Sequence, residues 1–125
     1  MATQEAVMTT QDIANRLYDL CKTGQYKQAQ EELYAEDAIS VEPVHAQGLP
    51  SVTGLDAIIK KGDQFQESVE EFHGADASKP IVAGNHFALS ISIDATFKGM
   101  GKMIMEEVAV YEVKDGKVIK EQFFY

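Results

Sequence analysis

Three glutamates stand out among the residues able to do chemistry. Glu42 directly precedes Pro43, and Glu106 and Glu121 fall in alternating segments late in the chain. A carboxylate held among apolar side chains has its pKa raised toward neutrality, where it can take a proton from a carbon beside a carbonyl. Carboxylates that converge raise one another further and leave one protonated, a donor for an oxyanion or a carbonyl. Each also has a plainer reading. Glu42, at a strand end, is solvated or paired with a lysine, and Glu106 and Glu121 are buried partners of a Lys, His or Tyr hydroxyl. Tyr125 brings a hydroxyl to the same end of the sheet as Glu106. His45, three residues after Glu42, makes an acid/base pair with it or sits on a loop rim. His73 is expected at a helix end, where the dipole favours a cation, and His86 at an exposed strand start. Cys21, the single cysteine, reads as a packing residue in a reducing interior. No His, Cys and Asp spacing matches a metal-ligand set and no Gly-rich phosphate loop is present, so neither metal nor cofactor is expected.

These residues need elements to position them. Residues 1–8 show no usable period and read as a loose end, leaving 9–125 as a single domain. From Thr9 or Thr10 as N-cap, Ile13, Leu17, Leu20 and Cys21 recur at helical spacing until Gly24. A shorter helix follows with Tyr26, Ala29 and Leu33 on one face. Residues 38–43 alternate as a strand ended by Pro43. An irregular stretch over 44–53, broken by Gly48 and Pro50, leads to Thr53 and Asp56, a capping signature. Leu55, Ile58, Ile59, Gly62, Phe65, Val69 and Phe72 then form a long apolar stripe, predicting a third helix that ends near His73 and Gly74. The remainder predicts an antiparallel meander. It comprises a weak strand over 76–83, strong alternation over 86–98 and 102–114, and a last strand over 117–125 after the Asp115-Gly116 hairpin turn. The fold class expected is α+β, a curved antiparallel sheet with three N-terminal helices on its concave face.

Hairpin register assigns the faces. A two-residue Asp115-Gly116 loop sets Val110 opposite Glu121, Val108 opposite Phe123 and Glu106 opposite Tyr125. An even-length loop near Gly99-Met100-Gly101 sets Ile93 opposite Val108. It gathers Leu89, Ile91, Ile93, Ala95 and Phe97 with Val108, Val110 and Phe123, and burial of those apolar side chains at roughly 1.5–3 kcal/mol each favours it. Glu106 and Glu121 then project into a greasy face under the helices. Met103, Met105, Glu107, Tyr111, Gln122 and Phe124 fall on the other face, a mix that suits a subunit interface.

Charge narrows the partners. Eleven Lys and Arg against twenty Asp and Glu give a net charge of −9, which argues against nucleic acid or an anionic membrane as partner. No basic leader followed by an apolar run is seen, and no apolar run approaches the roughly 20 residues of a spanning helix. A soluble, cytoplasmic protein is expected.

The first helix with its Gly24, YAEDAISVEP over 34–43, TGLDAI over 53–58 and YEVKDGKVIKEQFFY over 111–125 together resemble the SnoaL-like branch of the nuclear transport factor two superfamily. The likeness covers nearly the whole chain from about residue 9. It implies a cone-like α+β fold with a pocket between sheet and helices and a homodimer formed through the outer sheet face. Members include steroid isomerases, dehydratases, polyketide cyclases and non-catalytic binding or scaffold domains. In ketosteroid isomerase the general base is a carboxylate just before a proline at the first strand's end, a position that Glu42-Pro43 matches. The oxyanion-hole tyrosine of that enzyme falls at Leu17, and its partner acid at or near Val108; Tyr18 and Glu107 are each one position out of phase. The resemblance implies a pocket that Leu17 and Val108 line with Glu42 as base, and the hairpin register adds Glu106, Glu121, Phe123 and Tyr125, with His45 at its rim. It would take a small uncharged or weakly basic organic molecule for isomerisation, dehydration or aldol-type cyclisation rather than for steroid isomerisation as such. The other reading is a ligand-binding or scaffold domain without chemistry.

Overall fold

A computed structural model describes residues 7–46 and 49–125. Up to residue 6, the expected loose N-terminal stretch lies outside the described residues, as does Gly48, expected as a loop breaker. The first helix, α1 (Thr10–Cys21), starts at a capping box in which Thr9 and Asp12 exchange hydrogen bonds of 3.1 Å in both directions. Two orphan amides at the helix start are satisfied in this way. Its apolar face, Ile13, Leu17, Leu20 and Cys21, is buried. Gly24 closes the turn at φ 77°, a left-handed conformation that costs other residues roughly 1–2 kcal/mol. Next come α2 (Tyr26–Leu33) and β1 (Tyr34–Val41), the strand beginning four residues before the expected start.

After β2 (Val52–Thr53) the third helix, α3 (Leu55–Glu67), differs from expectation at both ends. Its N-cap is Gly54, without a side-chain cap, rather than Thr53. It stops at Glu67 rather than near His73, and Val69 and Phe72 belong to a strand, β3 (Val69–Ala77). The apolar spacing continues through both residues by coincidence, and hydrogen bonding to a neighbouring strand overrides it. His73 is therefore no helix cap: it lies on β3, with Nε2 2.7 Å from Thr96 Oγ1.

The other strands are β4 (Ile81–Ala83), β5 (His86–Phe97), β6 (Gly101–Lys114) and β7 (Lys117–Phe124). The sheet runs β2-β1-β7-β6-β5-β3, with β4 on the same edge of β5 as β3. All pairs are antiparallel except β1 with β7, which is parallel, so the α+β fold is built on a mixed curved sheet. Asp115 and Gly116, both at positive φ, form the expected two-residue turn.

Two departures from the expected register decide which side chains face the helices. Val113 pairs with Val118 but Glu112 pairs with Lys120, leaving Ile119 as a bulge in β7. The β5–β6 loop is the three residues 98–100, since Phe97 pairs with Gly101. An odd loop and a bulge each shift the phase by one, so β5 and β7 present the faces expected of them and β6 presents the opposite one. Ile91 pairs with Glu107, Ala109 with Phe123 and Tyr111 with Glu121. Tyr111, placed outside by the sequence reading, is among the most deeply buried side chains and stacks on Phe87 at 4.7 Å. Such aromatic pairs contribute about 0.5–1.5 kcal/mol beyond area burial.

Candidate functional site

Between the helices and the concave sheet face lies a cavity of about 590 Å³. Leu17 and Cys21 of α1, Tyr26 of α2, and Ile58, Lys61 and Phe65 of α3 form one wall; Ile91, Ile93, Met105, Glu107, Glu121 and Phe123 of the sheet form the other. The lining surface is mainly apolar, with polar side chains from both walls among it, a composition that suits a small-molecule site.

Four of the polar lining residues, Tyr34, Glu42, Lys61 and Glu121, belong to one hydrogen-bonded chain. Ser40 and Glu121 are neighbours in the parallel β1–β7 ladder and so share the inner face. Ser40, fully buried, donates its hydroxyl to Glu121 Oε2 at 2.7 Å. Glu121, 3% exposed, also accepts a hydrogen bond from the Tyr34 hydroxyl at its other oxygen. Lys61, on the buried face of α3 one turn after Ile58, donates to Ser40 Oγ at 2.7 Å and to Glu42 Oε2 at 2.8 Å. Glu42 Oε1 accepts from the Tyr125 hydroxyl at 2.8 Å. Tyr125, Glu42, Lys61, Ser40, Glu121 and Tyr34 thus form one continuous network. Both oxygens of each carboxylate in it are engaged, as burial of charged groups requires. Burial pushes the Glu121 carboxyl up, and the Tyr34 and Ser40 hydrogen bonds oppose it only in part.

Glu107 stands apart. Its carboxyl accepts no hydrogen bond from the described residues, and its pKa is pushed up to about 7, first by burial and then by the charges of Glu42 and Glu121, with Lys61 pulling the other way. The Tyr26 hydroxyl oxygen is buried and has no partner among the described residues, as is true of Oδ1 of Asp94, which does not line the cavity. Burial also raises the Tyr26 phenol, with smaller contributions from Cys21 and Glu107.

Of the site residues expected from sequence, Glu42, Glu121, Leu17 and Phe123 all line the cavity. Tyr125 lies at its margin, 40% exposed, touching the site through Glu42. His45 is exposed on the loop after β1 and makes no bond to Glu42; its ring sits edge-on to Tyr125 at 5.9 Å. Glu106 and Val108 are both exposed on the outer face, because the bulge at Ile119 and the odd loop reverse β6. The inward acid of that strand is Glu107. Sequence reasoning missed Lys61, Ser40, Tyr34 and Tyr26 as well. Lys61 was visible as a lysine within the apolar stripe, three residues after Ile58 and four before Phe65. Among the described residues no group of three or more His, Cys, Asp or Glu is arranged to hold a metal ion, and no helix is long and apolar enough to cross a membrane.

With this fold and cavity in place, the comparisons with known proteins agree on one class. The family model of the SnoaL-like domain matches residues 8–125, and the chain belongs to that family. A structure from Mesorhizobium loti, designated a SnoaL-like polyketide cyclase and also a carbohydrate phosphatase, is similar at 35% identity. It superposes with a TM-score of 0.86 over 94% of this chain and 100% of that one. A protein of unknown function with a cystatin-like fold from Xanthomonas campestris shares 19% identity at a TM-score of 0.77, over 94% of this chain and 90% of that one. A protein with a ketosteroid isomerase-like fold from Catenulispora acidiphila, in complex with trimethylamine, shares 17% at 0.72, over 94% and 87%. These two show likeness of fold. No curated protein matches the chain.

Proposed function

We propose that residues 9–125 act as one domain whose cavity binds a small uncharged or weakly basic organic molecule and moves a proton on it without a cofactor. Isomerisation, dehydration and aldol-type cyclisation are the reactions of that class. The observation that carries this reading is an unpartnered carboxyl, Glu107, facing an apolar cavity at a pKa of about 7. A base poised near the working pH combines a usable ionised fraction with enough driving force to take a proton. Glu42, the base expected from sequence, has both oxygens occupied by Lys61 and Tyr125. In this proposal it holds Lys61 in place, and the pair sets the field in which Glu107 titrates. Four carboxyl groups, Glu42, Asp63, Glu107 and Glu121, against the ammoniums of Lys27 and Lys61 disfavour an anionic ligand.

The test uses 2-tetralone, a neutral bicyclic ketone with exchangeable protons beside its carbonyl, followed by NMR in heavy water. Saturable binding is expected, and it should be lost in Ile93→Trp, which places an indole in the cavity. General-base catalysis of deuterium exchange is expected at roughly 10²–10⁴-fold over buffer and lost in Glu107→Gln with binding retained. Binding without exchange would instead support a non-catalytic pocket protein, which the mutual satisfaction of the other polar groups favours. Absence of binding would remove both.

The homodimer is proposed through the outer sheet face, where Val108 and Phe124, cross-strand partners, are 46% and 49% exposed. Ile104 on the same face of β6 is exposed as well. A cytoplasmic location is proposed from the single buried thiol, Cys21, whose pKa burial raises to about 12.

A further inference from the structure

Among the polar groups that line the cavity outside the Tyr125-to-Tyr34 network are Tyr26 and Glu107. They are complementary: the buried Tyr26 hydroxyl is a donor without an acceptor among the described residues, and the partly buried Glu107 carboxylate, an acceptor, faces the same cavity. They line the same cavity from opposite walls, Tyr26 from α2 and Glu107 from β6. The charge of Glu107 is felt by the Tyr26 phenol, yet no hydrogen bond joins the two. Buried donors in native proteins are nearly always satisfied, so the unpaired Tyr26 hydroxyl, facing a cavity that Glu107 also lines, marks the place of a third group.

We propose that this third group is a hydroxyl of the bound molecule, accepting from Tyr26 and donating to Glu107, so that the pocket selects neutral, largely apolar alcohols, phenols or enols. Only a group that both donates and accepts satisfies both sides. A ketone oxygen satisfies Tyr26 and leaves the ionised carboxylate bare; a protonated amine satisfies Glu107 and leaves Tyr26 without an acceptor. A carboxylate ligand meets the charges of Glu42 and Glu121. The inference rests on the reading of the cavity as a small-molecule site and adds what anchors the molecule there.

The selection is pH-dependent through Glu107. The groups bearing on it are Glu42 after β1, Glu121 on β7, Lys61 on α3, Tyr26 on α2, and Cys21 on α1, which remains a neutral thiol throughout this range. Once protonated, Glu107 becomes a donor, and a ketone oxygen can then accept from both sides.

The matched probes are 1-tetralol and 1-tetralone, which share a carbon skeleton and oxygen position and of which only the alcohol can donate a hydrogen bond. Titrations of the wild-type chain at pH 5.5 and 8.5, by calorimetry or ligand-observed NMR, need no variant. At pH 8.5 the alcohol should bind about tenfold more tightly than the ketone, since hydrogen bonds to a charged group have about that worth. The preference should shrink several-fold at pH 5.5. Tyr26→Phe should weaken the alcohol about five- to tenfold, and Glu107→Gln should flatten the pH dependence. Equal affinities for the two probes at both pH values would overturn the inference and leave the pocket reading standing, as would a preference untouched by Tyr26→Phe. A failure of both probes to bind, with no displacement of an apolar fluorescent dye, would overturn both. Binding of the alcohol unaffected by either substitution would mean that water alone fills the gap between Tyr26 and Glu107.

Discussion

Replacing Glu107 by Gln tests the electrostatics of the cavity without any ligand. The side chain keeps its shape and loses its titration. Its carboxyl is raised from an ordinary 4.5 to about 7 in the folded protein. Between those values the native protein holds a proton that the unfolded chain has already released. The stability that this proton represents is complete below about pH 4.5 and declines as pH rises through 7. The shift, at about 1.4 kcal/mol per unit, amounts to about 3 kcal/mol. Glu107→Gln should therefore match the wild type near pH 4.5 and exceed it by up to about 3 kcal/mol at pH 8.5. In urea, with a slope near 2 kcal/mol/M, this is a midpoint difference of roughly 1.5 M. Titrating groups that do not sense the charge of Glu107 act on both proteins alike and cancel in the difference. Denaturation curves at pH 4.5, 6, 7 and 8.5 would refute the reasoning if the difference between the two proteins stayed constant with pH, or if the variant lost stability as pH rose.

Three further outcomes follow from other contacts. Lys61→Met strands Glu42 in the interior and should cost about 3–5 kcal/mol, most of it recovered in the double variant Lys61→Met/Glu42→Gln; urea unfolding of all three checks it. If the proposed homodimer forms, Val108→Asp should convert it to monomer in size-exclusion chromatography with light scattering while leaving far-UV circular dichroism unchanged; a wild-type chain that already runs as a monomer would refute that proposal. Gly24→Ala forces a side chain into the left-handed region and brings its Cβ to 3.0 Å from Phe72 Cζ, so a loss of about 1–2 kcal/mol or more in thermal or urea unfolding is expected.

The fold was largely readable because its signals are local. Thr9 and Gly24 bracket α1, and Asp115-Gly116 requires two positive φ angles that few other dipeptides tolerate. The site was half readable because it depends on phase. Side chains alternate with a period of two, so a single extra residue transfers a whole row to the other face. Ile119 bulges and the loop after Phe97 has three residues. Neither leaves a mark in composition, and the two shifts cancel for β5 but not for β6. Glu121 and Phe123 therefore fell where they were expected, whereas Glu106 and Val108 exchanged places with Glu107 and its neighbours. The end of α3 failed for a different reason: Val69 and Phe72 fit a helical stripe as well as an edge strand, and only the presence of β5 decides between them.

The parallel pairing of β1 with β7 also fixes when the site can form. The Tyr34–Glu121, Ser40–Glu121 and Glu42–Tyr125 hydrogen bonds join residues 87, 81 and 83 positions apart. Closing loops of that length is entropically costly, and chains dominated by such contacts fold slowly. Helices α1 and α2 and the β6–β7 hairpin can form from local contacts alone, but the polar network cannot be assembled until the last strand docks beside the first. Until then Glu42, Lys61 and Glu121 stay hydrated, so none of these three is stripped of water without its partners. Ionic pairing and strand docking become one late event, and loosening of β7 would dissolve the pocket before it unfolded the helices.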